Sequence, residues 1–403
     1  MIGFNKVKLG DVLTFQRGFD ITKAEQEPGD IPIISSSGVT SHHNQWKVKG
    51  PGIIIGRKGT LGTVHYAPAH YWPHDTTLWI KDFKGNNPRF IYYFLKTLHF
   101  ENFDTGASNP TLNRNHLHKI KVIFPEPRIQ KIIAAILSAY DDLIENNKRR
   151  IALLERTAEE IYREWFVRMR FPGYEKVKVE KGVPKGWEKK RLGEFCMLQR
   201  GFDLPDSQVI AGEHPVIAST SIKTYHNQYK VEPPVITTGR SGSLGKVLFT
   251  NSKAWPLNTT LFVKNFFGNS PYLIYYTLKN MGLENFNAGA GVPSLNRNHI
   301  YGISLAVPSE TLQKAFDNNI DSMFKQSELL VMANDKLTRS RDMLLSRLIS
   351  GKLPVENLDI QFPPGMMDDT EGEAVTAAAK EDTDAKPHHG RRHRAGNTKE
   401  AKA

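Results

Sequence analysis

The sequence predicts two copies of an α/β (α+β) globule alternating with two long α-helices that form an antiparallel coiled coil. Three observations predict it: an internal repeat at offset 183, strand-and-turn patterning in the glycine-rich parts, and a 3-4 apolar spacing in the parts that follow them. The repeat is the strongest. Gln16-Arg17-Gly18-Phe19-Asp20 recurs as Gln199-Arg200-Gly201-Phe202-Asp203, and His43-Asn44-Gln45-Trp46-Lys47-Val48 as His226-Asn227-Gln228-Tyr229-Lys230-Val231. Gly56-Arg57-Lys58-Gly59-Thr60-Leu61-Gly62 recurs as Gly239-Arg240-Ser241-Gly242-Ser243-Leu244-Gly245, and Trp72-Pro73 with Thr76-Thr77-Leu78 as Trp255-Pro256 with Thr259-Thr260-Leu261. Leu112-Asn113-Arg114-Asn115-His116 recurs as Leu295-Asn296-Arg297-Asn298-His299. One offset fits all of these without a net gap, which chance does not produce.

The expected order is a globule over 1–124, a helix over 125–167, a linker over 168–186, a second globule over 187–307, a second helix over 308–352 and a disordered tail over 353–403. In the globules, Gly52-Ile53-Ile54-Ile55 and Thr63-Val64-His65-Tyr66 are short apolar runs between turn residues, the pattern of strands and hairpins. Phe90 to Leu95 and Leu273 to Leu278 read as short helices. Ile120–Phe124 and Ile303–Val307 read as closing strands, each ended by a proline.

In the long helices, Pro127 suits a first helical position and Ser309 an N-cap. Leu137, Ile144, Ile151, Ala158 and Trp165 stand seven apart, interleaved by Tyr140, Asn147, Leu154 and Ile161. Ile320, Met323, Leu330, Leu337, Leu344 and Leu348 continue the pattern in the second helix, with polar interruptions at Ser327, Asn334 and Arg341. This is a coiled-coil seam, and a seam Asn fixes register or partner choice at a cost in stability. A helix from Ile129 to Trp165 is on the order of 55 Å long. The linker, from Phe171-Pro172-Gly173-Tyr174 to Gly182-Val183-Pro184-Lys185-Gly186, is charged and rich in chain-breaking residues. After Leu353-Pro354 the composition turns to Asp, Glu, Ala, Lys and His, which is that of a disordered segment.

The charge balance points to a polyanion. Lys and Arg number 54 against 42 Asp and Glu, a net +12; residues 356–403 contribute −3, which leaves +15 on the rest. No apolar run is long enough to span a membrane. The start, Met1 to Lys6, lacks the apolar region of a signal peptide. One cysteine, Cys196, excludes an internal disulfide and a CxxC zinc site. The expectation is a cytoplasmic protein.

Tests for chemistry come out negative. Gly56–Gly62 is spaced GxxGxxG between two strands, not as a phosphate loop between strand and helix. Its glycines suit a tight turn, and Arg57 and Arg240 on that turn suit contact with backbone phosphate. His65, His70, His74 and Asp75 invite a metal, but their counterparts Leu248, Lys253, Leu257 and Asn258 do not keep the ligand set. His116 and His299, each beside Asn-Arg-Asn, suit hydrogen bonds to bases or phosphates, or equally a capped turn. No [DN]-P-P-[YF] tetrapeptide, Walker A sequence or GxSxG elbow occurs.

The ordered set of Gly-Arg-x-Gly-x-Leu-Gly, Thr-Thr-Leu, closing strand and proline, Gln130-Lys131-Ile132, Trp165-Phe166, Phe171-Pro172-Gly173 and Pro184-Lys185-Gly186-Trp187 resembles the specificity subunit (HsdS) of type I restriction–modification systems, over about 4–353. The resemblance implies that 1–124 and 187–307 are target-recognition domains that read the two halves of a bipartite site in double-stranded DNA. The helices would set the spacer and dock two methyltransferase (HsdM) subunits, which bind S-adenosylmethionine and methylate adenine N6. Restriction (HsdR) subunits would add ATP- and Mg-dependent translocation and cleavage. The chain itself would be non-catalytic and carry no cofactor.

Base-edge and phosphate contact calls for amides, hydroxyls and cations on polar turns. The candidates in the first globule are Gln16, Arg17, Ser36, Ser37, Asn44, Gln45, Arg57, Lys58, Asp75, Thr76, Asn113, Arg114, Asn115 and His116. In the second they are Gln199, Arg200, Ser219, Thr220, Asn227, Gln228, Arg240, Ser241, Asn258, Thr259, Asn296, Arg297, Asn298 and His299. Residues kept in both copies are scaffold or readers. Two alternatives stand: an enzyme acting alone on polysaccharide or nucleotide, which would turn over substrate unaided, and a structural adaptor, which would show no salt-dependent binding to duplex DNA.

Overall fold

The structure, a computed structural model, describes residues 3–103, 111–180, 182–289, 291–358, 360 and 362. It divides into two compact units, Met1–Ile144 with Lys336–Ala403, and Glu145–Asp335. Each unit therefore holds one globule and a stretch of both long helices, so the unit boundaries cut through the helices rather than fall between globule and helix.

The first unit opens with β1 (Phe4–Lys8), α1 (Leu9–Val12), β2 (Thr14–Arg17), β3 (Ile31–Ser35), β4 (Gly38–His43), β5 (Gly52–Gly56), β6 (Val64–Ala67), β7 (Trp72–Pro73) and β8 (Thr77–Asp82). After these come α2 (Pro88–Lys96), α3 (Arg114–Leu117), β9 (Lys121–Pro125) and the long α4 (Pro127–Tyr162). Strands β2-β8-β5-β6 form an antiparallel sheet, β4-β3-β7 a smaller one, and β1 pairs with β9 as a two-stranded ribbon. The middle strand β5 is buried throughout. Ile53 and Ile55 enter the main core with Phe15, Leu78 and Phe90, while Ile54 faces a second cluster with Ile34, Tyr71 and Trp79. Cover on both faces explains why this strand is an unbroken apolar run.

The second unit repeats the plan. The linker contributes β10 (Val179–Glu180) and β11 (Val183–Pro184). Then come β12 (Glu188–Arg191), α5 (Leu192–Phe195), β13 (Met197–Arg200), β14 (His214–Ile217), β15 (Ile222–His226), β16 (Val235–Gly239), β17 (Val247–Thr250), β18 (Trp255–Pro256) and β19 (Thr260–Asn265). The unit closes with α6 (Pro271–Asn280), α7 (Arg297–Tyr301), β20 (Ser304–Val307) and the long α8 (Glu310–Ile349). Its sheets are β13-β19-β16-β17, β15-β14-β18 and the ribbon β12-β20. The predicted short helices and closing strands are all present, and Ser309 immediately precedes α8.

The seam positions in both long helices are buried or half-buried. In the first unit, Ile129, Ile133 and Leu137 near the start of α4 share a core with Leu348 and Ile349 at the end of α8. In the second, Ala158 and Tyr162 at the end of α4 share one with Phe316 and Ile320 near the start of α8. Both pairings run antiparallel. Trp165 falls just beyond the α-helix, where Arg163–Val167 winds as a π turn.

A buried glutamine ties each globule to its helix. The Gln130 carbonyl accepts from Asn87 N (3.1 Å), and its amide donates to Asn86 Oδ1 (2.8 Å) and Pro125 O (2.9 Å). Gln313, offset by 183, accepts from Ser270 N (2.8 Å) and donates to Asn269 Oδ1 (3.2 Å) and Pro308 O (3.0 Å). Asn87 and Ser270 in turn cap α2 and α6. The expected tail begins too early: Leu353 packs against the first core and Val355 is buried in it. Residues 363–403 lie outside the described residues.

Candidate nucleic-acid interface

Antiparallel pairing brings the C-terminal ends of β2 and β5 to the N-terminal end of β8. Arg17 pairs with Leu78, and Gly56 with Thr77. The segments that follow or precede these ends carry Arg17, Arg57, Lys58, Asp75 and Thr76. Lys58 bridges to Thr111, and Leu112 N donates to Arg57 O (3.0 Å), which brings in the start of α3. Arg17, Arg57, Thr111, Asn113 and Arg114 thus line one open pocket of about 370 Å³ with Leu78 and Leu112 at its floor.

Two of these arginines bond Asp75, one at its carboxylate and one at its main chain. Arg17 donates to Asp75 Oδ2 (2.9 Å), and Arg57 donates to the Asp75 main-chain oxygen (3.3 Å). Burial and the adjacent Arg17 charge push the Arg57 guanidinium below its ordinary pKa, and Asp75 opposes the shift. Like charges held together in this way are stabilised by an incoming anion. In the second unit Arg240 Nε donates to Asn258 O (3.0 Å), the same contact at offset 183. Arg200 lies 4.0 Å from Asp203, which Asn258 also bonds, and Arg297 donates to Leu198 O (2.8 Å). Asn258 in place of Asp75 leaves the second cluster with a different charge pattern.

The other candidates sort by what holds them. Ser36 N donates to Thr76 Oγ1 (3.4 Å), which places Ser36 and the exposed Ser37 beside the pocket. Ser219 bonds Ser241 O (2.8 Å) and Thr259 O (3.1 Å), so that hydroxyl holds the turn; Thr220 follows it half-buried. Gln16 and Gln199 are half-buried on β2 and β13, opposite Trp79 and Phe262. Asn113 and Asn296 cap α3 and α7 through the main-chain N–H of Asn115 and Asn298 (2.9 and 3.0 Å). Arg114, Asn115 and His116, like Arg297, Asn298 and His299, are exposed. Asn44 and Gln45 are not brought to the pocket. They follow β4 at the open end of the hairpin, where His43 pairs with Ile31, whereas Ser36 and Ser37 form its turn. Asn227 and Gln228 follow β15 in the same way.

The repeated His43 and His226 are buried scaffold. Each Nδ1 accepts a main-chain N–H, from Glu27 or Ile210 (both 3.0 Å), and each ring meets Trp72 or Trp255 edge-on. Sequence reasoning missed His118 and Tyr301, which fix the strands behind the arginines. His118 Nε2 accepts from Phe15 N (3.0 Å), and Tyr301 Oη accepts from Leu198 N (2.9 Å). The two residues differ in type, so the repeat could not flag them.

Asp20, His74 and Asp75 offer ligand atoms within 4.8 Å of one another. Arg17 already engages Asp75, and the counterparts Asp203, Leu257 and Asn258 lack the set. Burial pushes the Cys196 thiol up to about 12, which leaves it unreactive. Among the described residues, no helix is long and apolar enough to cross a membrane.

Residues 1–156 and 184–337 match the family described as type I restriction modification DNA specificity domain. The type I restriction enzyme MjaIX specificity subunit of Methanocaldococcus jannaschii is 25% identical over 385 residues, 82% of this chain and 88% of that protein. The MjaVIII specificity subunit of the same organism is 21% identical over 302 residues, 67% of this chain and 71% of that protein. In fold, the chain is similar to the crystal structure of a type I restriction–modification S subunit from M. genitalium. The TM-score is 0.60 at 17% identity, over 86% of this chain and 96% of that one.

Proposed function

The chain belongs to the type I restriction–modification DNA specificity family, and from that premise we propose that its two globules each read one half of a bipartite duplex site. The two long helices set the spacer between the halves. They also dock two adenine-N6 methyltransferase subunits and, in a restricting complex, the restriction subunits. The chain contributes recognition and no chemistry; S-adenosylmethionine, ATP and Mg belong to its partners. The DNA it reads places it in the cytoplasm.

One observation carries this reading. Each unit gathers arginines at the same end of the same sheet, beside polar turns that differ between the copies. Guanidinium groups held by the fold suit phosphate, which positions the protein without reading sequence. The exchanged neighbours are Lys58 for Ser241, Asp75 for Asn258, and Ser37 for Thr220. These suit base edges, where one bidentate contact discriminates by about 1–3 kcal/mol. The test is binding of the full chain to mixed-sequence duplex DNA across a range of salt. The account expects binding that falls linearly on a log–log plot; salt-independent or absent binding would contradict it.

A further inference from the structure

We propose that the ribbons β1–β9 and β12–β20 form a second phosphate-contacting surface, on which the duplex continues beyond each arginine cluster. The proposal rests on the DNA reading above and adds a site to it.

The inner face of the first ribbon buries Val122 and Phe124. Its outer face presents Lys6, Lys8, Lys121 and the 43% exposed Ile123, with Lys6 opposite Ile123 and Lys8 opposite Lys121. Among the described residues none of these lysines has a carboxylate within ion-pair distance. Asp11 lines the same groove, but its carboxylate accepts from Lys8 N (3.0 Å) as part of the turn into α1. At offset 183, Lys6 becomes Lys189 and Lys8 becomes Arg191, both exposed on the outer face of the second ribbon. Glu194 repeats the role of Asp11 by accepting from Arg191 N (2.8 Å). Lys121 is replaced by Ser304. A cation pair kept in both copies is therefore separate from the features that fold the strand.

Two features favour DNA over an acidic protein. Alternate residues on a strand stand about 6.6 Å apart on one face, a step comparable with that between successive phosphates along a nucleic-acid strand. The ribbon is also joined rigidly to the pocket. Arg114 lines the pocket at the start of α3, and seven residues later Lys121 opens β9. Between them, His118 O accepts from Gly10 N (3.0 Å), Ile120 O accepts from Leu9 N (2.8 Å), and His118 Nε2 holds β2.

The test uses the full chain and a long mixed-sequence duplex. Salt titrations are run for the wild type, K6Q/K8Q, K189Q/R191Q, the charge-preserving K6R/K8R, and R57A/R240A. Each lost phosphate contact lowers the slope of log K against log salt by about 0.9. Each ribbon pair should therefore lower it by about two at unchanged thermal midpoint, and K6R/K8R should restore it. If R57A/R240A lowers the slope and neither ribbon variant does, the ribbon proposal is overturned and the DNA reading stands. Loss of methyltransferase-subunit binding at unchanged slope would also overturn it, in favour of an acidic partner. A wild-type chain with no salt-dependent binding would sink the DNA reading itself.

Discussion

His118 and Tyr301 do the same work in the two copies and differ in what acid does to them. Burial, with the charges of Arg114 and Lys84, pushes the His118 pKa below its ordinary value, so the folded state holds it neutral with Nε2 accepting from Phe15 N. As pH falls through the free-histidine value of about 6.5, the unfolded chain takes up a proton that the folded chain refuses. Stability is therefore lost from there down to the folded pKa, and not further. His118→Tyr, which copies the second unit, should flatten the urea midpoint between pH 7 and 5; an unchanged profile would place the acid sensitivity elsewhere. Gln130→Leu strands a buried N–H and a buried carbonyl and should destabilise by about 2–4 kcal/mol in urea melts, with Gln313→Leu similar. A cost below about 0.5 kcal/mol would mean that water or rearrangement replaces the glutamine. Arg57→Ala and Arg240→Ala should each lower the salt slope of DNA binding by about one; unchanged slopes would make them fold residues.

At the level of elements, the seam carries one matched polar pair: Asn147 Nδ2 donates to Asn334 Oδ1 (2.9 Å). Either single Leu substitution leaves a buried amide without its partner and should cost about 1–3 kcal/mol. The double substitution should recover most of that, because a polar seam pair is kept for register rather than stability. Additive single and double costs, measured as a double-mutant cycle, would show that the amides do not depend on each other. A second polar link runs from Tyr93 through Asp141 to Arg341, where the seam arginine noted in the sequence finds its carboxylate. Most elements were legible because their signals are periodic: the 3-4 seam, the strand runs and the prolines that close β9 and β20. Side-chain direction was not legible. The repeat marks His43, Asn113 and Arg57 alike, and only packing reveals that the first is buried against Trp72 and the second caps a turn. The acidic, alanine-rich composition beyond 356 hid the anchoring of Leu353 and Val355, because two apolar residues are too few to shift a compositional reading.

For the whole chain, duplication is the central fact, and it bears on both target and partners. A repeat that supplies two helix stretches and two globules should bind two methyltransferase subunits; a one-to-one mass for the co-expressed complex would contradict this. The repeat also predicts half-sites that are partly inverted, since duplicated readers in symmetric DNA binders meet equivalent bases on opposite strands. Lys58 against Ser241 and Asp75 against Asn258 should make that symmetry imperfect. The most direct test of the central claim, that this chain chooses the DNA site, is single-molecule methylation mapping of genomic DNA from cells with and without it. The account predicts a bipartite motif with one methylated adenine in each half, present only with the chain. An identical methylation pattern in both cells would contradict it.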